Sequence, residues 1–230
     1  MKPTSLDDYL DGFPSFPKRR SKRLSFLRQA YTYGVPGMIT KSMTDRLASS
    51  GHYTFHIGTP DPEMRRIASW MLTNEDDRLK IAKFIPKIWK RGGREDMKLV
   101  GLLLANMSNE ELGENAWTIL LQLIQDRVSI EVFLEMAEEF LRGGRTIPDD
   151  AWIRDAAMQS TVWAQLMILL LSLDEERAKQ HATILNETPK GGELFERIRQ
   201  RRARRDAAAG GAAPVRPAIG RAAALTRERA

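Results

Sequence analysis

Four lysines, Lys80, Lys83, Lys87 and Lys90, recur at steps of three and four residues, and Arg91 and Arg94 follow directly. On a helix that spacing puts the four ammonium groups on one face. The chemistry such a face offers is phosphate neutralisation, in which each bound cation releases a condensed counterion. A plain solvated face is the alternative. His52 and His56 stand four apart, a spacing that ligates metal only with further ligands on the same helix face. No such ligands accompany them, so structural or exposed histidines and no metal or cofactor are expected. The sequence has no Gly-Lys-Ser/Thr phosphate loop, no Gly-x-Ser-x-Gly and no His-Glu-x-x-His, which removes the common signatures of nucleotide binding, serine hydrolysis and zinc proteolysis. The five tryptophans read as core residues, with Trp152 set apart by its charged neighbours Asp149, Asp150, Arg154 and Asp155.

The elements that must position these groups read as helices throughout. Residues 76–107 form the pattern of a helical hairpin: Ile81, Phe84, Ile85, Ile88 and Trp89 share one side of the first arm, and Met97, Val100, Leu103, Leu104 and Met107 one side of the second. Gly92-Gly93 separates the arms, and Pro86 predicts a kink or a restart within the first. Asp61 before Pro62 predicts a capped helix start, Ser108 and Glu111 a capping box, and Asp149-Asp150 another cap. Residues 128–141 are amphipathic, with Glu131, Glu135, Glu138 and Glu139 expected outside as an acidic face for a protein partner. Thr161 to Leu173 is apolar nearly all round, which predicts the central core helix.

Arg91, Arg142 and Lys190 each precede a Gly pair, at separations of 51 and 48 residues. Helix C-termini favour both residue types, and the recurrence suggests stacked helical pairs of HEAT or armadillo period. The expected fold class is therefore an all-α, HEAT-like α-α superhelix. Residues 1–37 are expected to be an N-terminal arm and basic cluster, extended over residues 1–17 with Phe13 or Phe16 packed onto the body and a helix through Leu24, Leu27 and Tyr31, 38–202 the HEAT-like helical domain, and 203–230 a disordered Ala/Gly/Arg-rich tail. Charge is uneven: the net sums are +4 over residues 1–45, −5 over 46–189 and +7 over 190–230. The basic ends alone could hold nucleic acid without specificity. Absent cysteines fit a reducing, cytoplasmic setting. The longest apolar run is too short to span a bilayer, and no export signal is evident. A monomer is expected.

Three stretches resemble the AlkD-like DNA alkylation repair glycosylases, which are HEAT-like all-α proteins. They are Tyr53-Thr-Phe-His-Ile-Gly58-Thr-Pro-Asp-Pro-Glu63-Met-Arg65-Arg66-Ile-Ala, Ile88-Trp89 with Arg94-Glu95, and Trp152-Ile-Arg-Asp-Ala156-Ala157. The resemblance covers about residues 52–172. It implies duplex DNA as partner and release of cationic alkylated purines, with a carboxylate stabilising the cationic sugar. Glu131 and Asp126 are the acids near the family's catalytic segment, and Trp152 the implied aromatic wall. Lys80, Lys83, Lys87, Lys90, Arg91, Arg94 and Arg154 would hold DNA. The chain departs from the family's pattern in two places: no tryptophan lies within residues 126–133, and Asp155 stands where the family has arginine, with Arg154 about 100° away round the helix. The rival expectation is a non-enzymatic protein-interaction scaffold of the same fold.

Overall fold

The structure, a computed structural model, describes residues 3–39, 41–50, 53–124, 130–174, 184, 187–188 and 193–210. Its helices are α1 (Leu6–Asp11), α2 (Arg20–Ala30), α3 (Lys41–Ser50), α4 (Asp61–Thr73), α5 (Arg78–Ala82), α6 (Ile85–Trp89) and α7 (Arg94–Asn106). Then follow α8 (Asn109–Leu112), α9 (Ala116–Leu123), α10 (Ile130–Arg142), α11 (Asp150–Gln159), α12 (Thr161–Leu171) and α13 (Glu193–Gly210). Among the described residues there is no strand, only an isolated parallel bridge between Phe55 and Gly93.

Helices α4, α7, α10 and α12 open at separations of 33, 36 and 31 residues and pack each on the next. The direction of α7 against α10 is parallel, because Arg94 meets Glu135, Lys98 meets Glu139, and a Cβ on Gly143 would stand 2.9 Å from the Ala105 carbonyl. Return helices fill the gaps: α5–α6 before α7, α8–α9 before α10, and α11 before α12. This is the stacked arrangement of a HEAT-like superhelix, with α4, α7, α10 and α12 as one layer, here called inner, and the return helices as the other, here called outer. The Gly-pair ruler is a misreading of that period. Gly92 follows an outer helix and Gly144 follows an inner one, with φ values of +69° and +86°, so their spacing compares different layers. The third pair lies outside the described residues.

Pro86 restarts the first arm. Helix α5 ends at Ala82, and the proline sits in the first turn of α6, where its missing N–H costs nothing. The central helix is α7 rather than α12: it packs against α4, α6 and α10, and ten of its residues are buried. Two charges at its start and Lys98 one turn on are buried too, which an apolar stripe does not show. Residues 6–11, expected to be extended, are helical, while Phe16 packs onto the body and a helix follows the basic cluster as expected. Ser5 and Asp8 form a capping box that starts α1, and Leu6, Leu10, Phe16 and Phe26 enter the common core, where Phe26 stacks on Trp70 at 5.0 Å. Helix α13 continues through residues 203–210; residues 211–230, the remainder of the expected tail, lie outside the described residues.

Candidate functional site

The first turn of α7 is tied to the chain before it by a short strap, residues 53–60. Thr54 donates its amide to the Gly92 carbonyl at 2.8 Å, and Arg94 donates its own to the Phe55 carbonyl at 3.0 Å. The hydroxyl of Thr54 bonds the Arg91 carbonyl. Only glycine fits at Gly93, because an added Cβ would lie 2.0 Å from the Phe55 ring. With the strap in place, one carboxylate oxygen of fully buried Glu95 accepts the amides of Ile57, Gly58 and Thr59 at 2.9, 2.9 and 3.4 Å. Successive amides turned inward make an anion nest. Glu95 fills that nest from within the protein.

Asp96 is equally buried. It accepts the Tyr31 hydroxyl at 3.0 Å and pairs with the Arg91 Nε at 2.9 Å. Burial pushes its carboxyl up to about 7, against the pull of Arg91 and the Tyr31 hydrogen bond. One turn further, Lys98 pairs with Asp61, Glu135 and Glu139 at 3.2, 2.8 and 3.0 Å. Arg65 and Arg142 each reach Glu139 at 2.6 Å, and Arg94 reaches Glu135 at 3.2 Å and Asp61 at 3.5 Å. Burial alone would raise the carboxyl of Glu139, but hydrogen bonds from Arg65 and Lys98 outweigh it and hold it low. The same contest, won by Lys98 and Arg94, holds Asp61 low.

This seam corrects two expectations. Glu139 is buried and Glu135 half-buried, so the acidic face of α10 keeps only Glu131 and Glu138 outside. Asp61 does not cap α4, whose N-cap is Pro60 without a side-chain bond; its carboxylate goes to Lys98 instead. Arg91 and Arg94, placed at the end of the lysine stripe by sequence, are taken up by Asp96, Glu135 and Asp61.

The lysines themselves stand on the outer layer. Lys83, Lys87 and Lys90 are exposed on α5–α6 and its caps with no ion-pair partner among the described residues, whereas Lys80 lies near Glu75 and Asp77 at 3.7 and 3.6 Å. Glu131 is exposed in the first turn of α10. Asp126 and His52 lie outside the described residues. Trp152 is half-buried against the core in the first turn of α11, its amide capped by Asp149 at 2.8 Å, and Arg154 is exposed. His56 has a buried Nδ1 without a hydrogen-bond partner, and burial lowers its pKa. Among the described residues no group of three or more His, Asp or Glu could hold a metal, and no helix is long and apolar enough to cross a membrane. Compared with protein-family models, curated proteins and solved structures, the chain has no match.

Proposed function

We propose that the chain is a non-enzymatic interaction scaffold of HEAT-like fold whose outer lysine face receives an anionic partner. The observation that carries this reading is the fate of the inner carboxylates. Asp61, Glu95, Asp96, Glu135 and Glu139 are each held by a cation or by backbone amides, so none of these five is free to stabilise a cationic sugar as base excision requires, and Glu131 lies exposed in the first turn of α10. Among the described residues Lys83, Lys87 and Lys90 are exposed on the α5–α6 segment without an ion-pair partner.

Two assays test the reading. Protein in excess over duplex DNA carrying N7-methylguanine should release no base above the spontaneous rate, and measurable release overturns the non-enzymatic assignment. Replacing Lys83, Lys87 and Lys90 with Glu should abolish binding of labelled duplex DNA, followed by anisotropy. Unchanged affinity in that folded variant removes the lysine face from the proposal. The acidic face of α10 is the weaker docking surface, because its two inner glutamates are already neutralised.

A further inference from the structure

We infer, resting on the lysine face proposed above, that the face is wider than its lysines: Lys18, Arg19, Arg20 and Lys22 join Lys83, Lys87 and Lys90 in one surface for a nucleic-acid phosphate backbone. The two basic stretches are far apart in the chain and are brought together chiefly by one buried side chain, that of Arg23. Arg23 is 7% exposed. Its Nε donates to the Pro17 carbonyl at 2.6 Å, its Nη1 to the Lys80 carbonyl at 3.3 Å, and its Nη2 to Glu75 at 2.7 Å. The rings of Phe16 and Phe84 flank the guanidinium at 4.7 and 5.4 Å. One planar group thus bonds the carbonyl just before the first stretch and that of Lys80, three residues before the second. The next residue of α2, Leu24, accepts at its carbonyl from Arg91 at 3.4 Å. Held at these two adjacent residues, α2 meets the α5–α6 segment at Lys80 and at Arg91.

All seven of these cations are exposed, and none has an ion-pair partner among the described residues. Their surroundings select the partner class. Protein interfaces centre on aromatic or aliphatic anchors and are depleted in lysine. Within residues 18–22 and 78–91 the one large apolar side chain strongly exposed is Leu79. A surface with several unpaired cations and almost nothing apolar to bury suits a repeating phosphate charge. Contacts to phosphate carry no base sequence, so binding should be indifferent to sequence.

The test uses the full chain and a fluorescein-labelled 20-base-pair duplex, titrated by anisotropy from 50 to 200 mM salt. The variant Lys18→Gln/Arg20→Gln/Lys22→Gln, folded by circular dichroism, should bind on the order of 100-fold more weakly near 0.1 M salt, with the salt slope shallower by about 2.7. If it binds like the parent while the Lys83, Lys87 and Lys90 variant loses affinity, the extension across α2 is overturned and the lysine face stands. If neither variant loses affinity, both fall. Polyglutamate or phosphatidylserine vesicles that compete more strongly than unlabelled duplex overturn the choice of nucleic acid.

Discussion

Replacing Lys98 with Met tests whether the buried seam holds the inner layer together. The lysine is 3% exposed at its side chain and pairs with Asp61 of α4 and with Glu135 and Glu139 of α10, so it joins three parallel helices at one point. Methionine keeps the volume and removes the charge. Breaking a buried pair by deleting one partner costs about 3–5 kcal/mol, because the other partner is left buried and uncompensated. Here Glu139 keeps Arg65 and Arg142, and Glu135 keeps Arg94, so the lower end, about 3 kcal/mol, applies. For a chain of this length that lowers the melting temperature by roughly 6–12 °C. Urea unfolding by circular dichroism, with Lys98→Met, Glu139→Gln and the double variant, gives the coupling as well; residues in one network couple by about 0.5–3 kcal/mol. A loss under about 1 kcal/mol for Lys98→Met, with no coupling, would refute the claim that this seam fixes the register of the inner helices.

The pH dependence of stability should have two parts. Asp61 and Glu139 have lowered pKa values, so their contribution is present above the ordinary carboxylate range and is lost as pH falls through the lowered values. Asp96 behaves oppositely. Between its ordinary value and about 7 the folded chain keeps a proton that the unfolded chain has released, so stability declines as pH rises to about 7 and then levels. Melting temperature against pH should show this decline in the parent and not in Asp96→Asn; a decline that persists in the variant assigns it elsewhere. Gly93→Ala should cost about 1–3 kcal/mol by forcing Phe55 off the strap, seen as faster amide exchange at Ile57 and Gly58. Parent-like exchange there would mean the strap does not depend on that close approach.

The class of fold was legible because its signals are local. Ser108 with Glu111 forms the capping box, Asp149 caps α11, and the apolar residues Met64, Ile67, Ala68 and Met71 all face inward on α4 as their spacing requires. What was not legible depends on partners distant in sequence. Arg94, Glu135 and Glu139 lie at positions that helical periodicity assigns to solvent, yet packing α7 against α10 brings opposite charges together, burying Glu139 and half-burying the other two. Periodicity reports which side of a helix is apolar, and it has no access to a buried polar side neutralised by the next helix. One signal was available: Glu95, Asp96 and Lys98 sit in a helix whose remaining residues from Met97 to Ala105 are almost wholly apolar. Charges in a helix that is otherwise apolar all round need internal partners.

The two populations of cations divide by layer, and the division bears on function. In the inner layer Arg65, Arg94 and Lys98 are spent on Asp61, Glu135 and Glu139, and moderate salt screens the central Lys98–Glu139 pair little because both side chains are buried. Outside that layer Lys18, Arg19, Arg20, Lys22, Lys83, Lys87 and Lys90 face water and are screened over about a Debye length. Raising salt should therefore release an anionic partner well before it loosens the fold. Binding and melting measured on one sample from 50 to 500 mM salt separate the two: affinity should fall steeply while the melting temperature moves little. If the melting temperature falls in step with affinity, the cations that bind and the cations that hold the helices are the same set, and the division between layers is wrong.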